Sequence, residues 1–174
     1  MIISLAVASA LLSAAPARDP STAACNQPPA RIQAYLRRHQ GWRLLSVQDL
    51  SGEDQALWRR ARAGLCPGFA QADLDGSGKV FFAAALIRTS AHIRTEILLL
   101  FPPGARTAPE RLSGPDKGGP PYVTWRAGPG QSYDYATSRT VKIPHDSIML
   151  EQLEANSTQF YLHNGKVRSI LTSY

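Results

Sequence analysis

Apolar and polar positions follow two different rhythms along the chain, and the change comes near residue 69. Before it the spacing is helical. Ile32, Tyr35 and Leu36 recur three and four residues apart, opposite Arg31, Arg37 and Arg38. That predicts a helix opened by Pro28 and Pro29 and stopped at Gly41. Residues 42–47 read as a short strand. Ser51, with Asp54 three residues on, starts a second helix that Gly64 ends. Leu57, Trp58 and Ala61 share its apolar side, and Arg59, Arg60 and Arg62 point to water.

From residue 69 the period is two. Residues 80–88 and 92–101 flank a polar turn at 89–91 and read as an antiparallel hairpin. Ile93, Thr95, Ile97, Leu99 and Phe101 alternate with Arg94 and Glu96, giving that strand one buried face. Phe81, Phe82, Leu86 and Ile87 make its partner apolar on both faces. Segment 102–120, loaded with Pro and Gly, reads as a long irregular loop, and 127–138 as a Gly-, Ser- and Tyr-rich one. Further strands are expected at 122–126, 139–143 and 147–153. Asn164-Gly165, between 158–163 and 166–172, is the strongest hairpin signal in the chain. It sets Phe160 and Leu162 on one side and Gln159, Tyr161 and His163 on the other. The expectation is a single α+β domain over residues 29–174. Two N-terminal helices pack on a mainly antiparallel sheet of about six or seven strands.

The first residues add a location. An apolar run from Ile2 to Leu12, then small residues with Ala15 and Ala17 in an Ala-x-Ala pattern, predicts a signal peptide over residues 1–17. The run is too short to span a bilayer, and residues 18–28 follow as a flexible leader. The chain has two cysteines, Cys25 and Cys66. In an exported protein an even pair predicts a disulfide, contributing on the order of 3–4 kcal/mol through loop closure. Lys and Arg exceed Asp and Glu by 19 to 13, a net charge of +6, which favours anionic surfaces. The basic residues are scattered and lack the interleaved aromatics of a base-stacking site, so no specific nucleic-acid partner is expected.

One stretch carries candidate chemistry. Asp73, Asp75 and Ser77 put oxygen donors at positions 1, 3 and 5 of a tight loop, with Gly78 at position 6. An EF-hand needs a bidentate Glu at position 12, which is Ala84, and flanking helices, so that reading fails. Residues 69–84 resemble instead the FG-GAP or VCBS-type repeats of β-propellers and bacterial surface proteins. Those repeats place an Asp-x-Asp-Gly-Asp-Gly-Lys-x-Asp loop between two strands and hold calcium there. The resemblance carries Asp73 and Asp75 over as ligands, with Ser77 a weaker one. Ser77 and Phe81 stand where the family has carboxylates, so it implies weak calcium binding. One copy excludes a propeller. The alternative is a strand-to-strand turn in which Asp73 and Asp75 accept backbone N–H bonds.

Histidines 39, 92, 145 and 163 share no zinc-site spacing, and His145-Asp146 has no nucleophile motif to partner it. Tyr133, Asp134 and Tyr135 form a candidate partner-binding patch, or lay their rings over the sheet edge. Asn156-Ser157-Thr158 matches a glycosylation sequon. Together these point to a small periplasmic or secreted binding protein without enzymatic activity. Its loops at 102–120 and 127–138 would contact an unknown protein or an anionic envelope polymer. The rival is a metal-assisted hydrolase using Asp73 or Asp75 with His145, which requires those side chains to converge. An inhibitor or immunity-type protein is the third reading.

Overall fold

The computed structural model describes residues 24–104 and 108–173. The expected signal segment, and residues 18–23 of the expected leader, lie outside them. Helix α1 (Ala30–Arg38) leads to a two-residue strand β1 (Arg43–Leu44), a 3-10 turn (Val47–Asp49) and helix α2 (Gly52–Arg62). Then come β2 (Phe69–Ala72), β3 (Phe81–Ser90), β4 (Ile93–Phe101), β5 (Glu110–Lys117), β6 (Val123–Ala127) and β7 (Gly130–Asp134). The chain closes with β8 (Arg139–Ile143), β9 (Ser147–Glu151), β10 (Ser157–His163) and β11 (Lys166–Ser173). The α+β class holds, but the described residues carry eleven strands rather than six or seven.

The strands fall into three antiparallel sheets, and β3 is the axis of the largest. Its partner on one side is β4, which in turn pairs with β5. On its other side β1 and β2 share one edge, with Leu44 opposite Leu86 and Phe69 opposite Ala84. They hand over at Ala85, whose carbonyl accepts from Leu45 N–H and whose N–H donates to Gly68 O. The second sheet runs β11-β10-β9-β6, and β7 and β8 form a separate hairpin. Thr124 N–H donates to Pro67 O and so ties β6 to the residues leading into β2.

Both faces of the first sheet are buried. Phe81, Ala83, Ala85 and Ile87 of β3, with Leu98 and Leu100 of β4, meet Ile148, Leu150 and Phe160 of the second sheet. On the opposite face Ala84, Leu86, Ile97, Leu99 and Phe101 pack under Ile32 of α1. Tyr35 of α1 meets Phe101 edge-on, ring centroids 5.7 Å apart. The two helices are therefore divided between the two apolar clusters instead of lying together on one face. The fully buried Trp58 of α2 joins Leu45, Val47 and Leu50 in the cluster between the sheets.

Burial on both faces corrects several expectations. β4 is apolar on both sides beyond Glu96, and Glu96 itself is only 5% exposed. Gln159, on the side of β10 opposite Phe160 and Leu162, is buried as well and donates to Ser147 Oγ at 2.7 Å. Segment 102–120 is not one long loop, because it contains β5 at the sheet margin, with a cis Gly114-Pro115 bond. Likewise 127–138 contains β7. The hairpin turn after β3 falls on Ala91 and His92, both with positive φ, one residue beyond the expected place. Asn164 and Gly165 turn where expected, with φ of 51° and 70°.

Candidate functional site

Cys25 and Cys66 form a disulfide, with 4.9 Å between their Cα atoms. It fixes the start of the described chain to the residues that enter β2, and β2 leads directly into the 73–79 loop. That loop is built from local bonds between short side chains and backbone. Asp75 Oδ1 accepts from Ser77 N–H at 3.0 Å, and Asp73 Oδ2 from Gly78 N–H at 2.9 Å. Ser77 Oγ accepts from Lys79 N–H at 3.3 Å. Gly76 and Gly78 turn the chain through positive φ, 71° and 78°. Bonds from the Ser77 side chain and backbone hold the Asp75 carboxyl below its ordinary range, and Asp73 adds to the effect.

The β8–β9 connection closes over this loop. Asp146 Oδ2 accepts the Asp73 N–H at 3.1 Å and an Arg126 guanidinium N–H at 3.4 Å. The His145 imidazole lies so close to Gly76 that a Cβ there would collide with it. Asp73, Gly76, His145 and Asp146 are thus neighbours, although about seventy residues separate the two segments. One atom stands out. Asp73 Oδ1 is buried and has no hydrogen-bond partner. Among the described residues no three His, Cys, Asp or Glu side chains gather as a metal-ligand group. No hydrogen bond joins His145 to either loop carboxylate among those residues. The contacts that do form are those of a braced turn.

The Tyr133, Asp134 and Tyr135 patch divides into two kinds of residue. Asp134 is buried, and its carboxylate accepts from Ala136 N–H at 3.1 Å, Leu171 N–H at 3.1 Å and Thr137 Oγ at 2.7 Å. The Thr137 hydroxyl, with the Leu171 and Ala136 amides, outweighs burial and holds this carboxyl below its ordinary range. Tyr135 N–H donates to Leu171 O, so the turn after β7 is stitched to β11. The two tyrosines remain, each 46% exposed, edge-to-face with centroids 5.0 Å apart. Asn156 of the sequon is only partly exposed and donates its amide to Gln152 Oε1.

A constellation that periodicity did not indicate sits at the end of α2. Arg62, expected in water, has its guanidinium 5.3 Å from the ring centre of Trp58 and 4.1 Å from that of Trp125. It pairs with Glu151 Oε2 at 3.0 Å, and the same oxygen accepts the Trp125 indole N–H at 2.7 Å. Burial pulls the Arg62 pKa down and Glu151 partly restores it. The group bolts α2 to β6 and β9. Beside it a cleft of about 620 Å³ is lined by Leu65, Cys66, Phe69, Gln71, Trp125 and Arg126, among others.

No described helix is long and apolar enough to cross a membrane. Compared with protein-family models, with curated proteins and with solved structures, the chain matches none.

Proposed function

We propose that the chain is an exported binding protein without enzymatic activity, which contacts its target through the corner bearing Tyr133 and Tyr135. The observation that carries this is the Asp134 carboxylate. Its three bonds immobilise a turn that holds two half-exposed aromatic rings outward. Aromatic contact area on a preordered turn loses little entropy on binding. The disulfide suits an oxidising compartment, in line with export. The target is a protein or an anionic envelope polymer. The test passes envelope extract over the immobilised mature chain. A component held by the native protein should be lost with the Tyr133→Ala, Tyr135→Ala double variant at unchanged melting temperature. Equal retention by both proteins defeats the reading.

A second reading rests on Asp73 Oδ1, whose burial without a donor fits a weakly bound calcium ion shared with Asp75 and Ser77. Calorimetry at several millimolar calcium should show binding that Asp73→Asn removes. Absence of both heat and a melting shift in the native chain ends it.

A further inference from the structure

The two hairpins that meet beside the Tyr133 corner have an uneven charge content. β7, β8, β10 and β11, with their turns, carry four basic residues, Arg139, Lys142, Lys166 and Arg168, and all four are exposed. The single acid among them is Asp134, whose carboxylate is turned inward to Ala136, Thr137 and Leu171. Register places three of the four, Lys142, Lys166 and Arg168, beside hydroxyl, amide and aromatic groups, whereas Arg139 pairs with Asp134 on the other face of its hairpin. Tyr161 is opposite Arg168 and His163 opposite Lys166, so these four share one face of the C-terminal hairpin. Tyr133 is opposite Thr140 and Gln131 opposite Lys142, and they share the outer face of the other. The Tyr135 to Leu171 backbone bond makes the hairpins neighbours. The result is a cationic surface with no exposed carboxylate of its own.

We infer that this surface binds an anionic glycan, a hydroxyl-rich polymer bearing carboxylate or similar groups at intervals. The inference rests on the binding-protein reading above and names its partner class. Charge complementarity selects a polyanion. The polar groups between the basic residues select a hydroxylated chain over an acidic protein. A protein interface centres on an apolar core, whereas the exposed aliphatic side chains Leu65, Val80 and Ile93 all lie on other elements. Nucleic acid fits poorly because Tyr133 and Tyr135 stand at 83° to one another, which is no platform for successive bases.

The test uses the mature, disulfide-bonded chain and four probes: polygalacturonate, neutral dextran, polyglutamate and single-stranded DNA. Affinity electrophoresis should show retardation by polygalacturonate, weakening as salt is raised, and none by dextran. Replacing Lys142, Lys166 and Arg168 by Gln should weaken that binding about tenfold or more. Replacing Arg37, Arg38 and Arg60 by Gln removes the same charge from the helices and should leave most of it. Equal loss in both variants would reduce the effect to net charge and overturn the inference. Equal or tighter binding to polyglutamate or DNA would overturn the glycan assignment. If no probe binds but envelope extract still yields a tyrosine-dependent partner, the inference falls and the binding-protein reading stands.

Discussion

Glu96 is a carboxylate in a place that suits a neutral group. It is 5% exposed, and both its oxygens share one donor, the Tyr122 N–H at 3.2 Å. Burial raises its pKa most. The Tyr122 bond and the Arg94 charge lower it, and Asp116 and Asp49 push it up again, leaving it at about 7 against an ordinary 4.5. Between those two values the folded chain keeps a proton that the unfolded chain releases. Stability therefore falls as pH rises from about 4.5 to 7, by an amount on the order of 2–3 kcal/mol, and levels off on either side. Asp49, Asp75 and Asp134 have lowered values, so their opposite contributions fall below this window. Urea midpoints at pH 5 and pH 8 should show the fall in the native chain. Glu96→Gln should flatten it and be the more stable protein at pH 8. A native chain as stable at pH 8 as at pH 5 contradicts the assignment. Glu96 could not be picked out beforehand because strict alternation assigned β4 a wet face, and the cover over that face comes from segments distant in sequence.

Two turns show which parts of the elements were legible and which were not. Asn164-Gly165 announced itself because the turn needs two residues at positive φ, which that pair tolerates. Ala91-His92 makes the same kind of turn at φ of 48° and 65° with residues that resist it, so local chemistry gave no signal. Replacing His92 with Gly should relieve that strain and stabilise the protein by about 1 kcal/mol, read as a rise in melting temperature. An unchanged or lower value means the hairpin holds its turn without cost. In the 73–79 loop the carboxylate-to-amide turn was readable from Asp, Gly and Ser spacing. Its brace was not, because His145 and Asp146 arrive from the β8–β9 connection. Gly76→Ala tests that brace. The φ of 71° and the His145 ring both oppose a Cβ, so a loss on the order of 1–3 kcal/mol is expected, with a shifted His145 ring resonance. A variant with native stability and an unmoved resonance would show that the ring does not rest on the loop. β5 and β7 were missed because Gly114-Pro115 interrupts the first, the second opens on Gly130, Gln131 and Ser132, and apolar alternation is faint in both.

At the scale of the molecule, the Cys25–Cys66 bridge encloses four elements that precede β2: α1, β1, the 3-10 turn and α2. Those elements serve both apolar clusters, Ile32 on one side of the main sheet and Leu45, Val47 and Trp58 on the other. The bridge lies where β1 and β2 exchange the edge of β3, and a Cβ on Gly68 would run into the Leu45 carbonyl there. Holding this crowded junction together limits what the unfolded chain can explore. Closing a loop with 41 residues of separation corresponds to about 3–4 kcal/mol on the chain-entropy account. A domain of this size has roughly 5–15 kcal/mol in all, so losing the bridge should weaken the fold without abolishing it. The Cys25→Ala, Cys66→Ala double variant should keep its near-ultraviolet dichroism, since the packing of Trp58, Tyr35 and Phe101 does not depend on sulfur. Its unfolding free energy from urea titration should drop by the amount stated and its midpoint become insensitive to reductant, whereas the native chain's midpoint falls toward it when reduced. A native midpoint that reductant does not move would show that the helices hold to the sheets through packing alone.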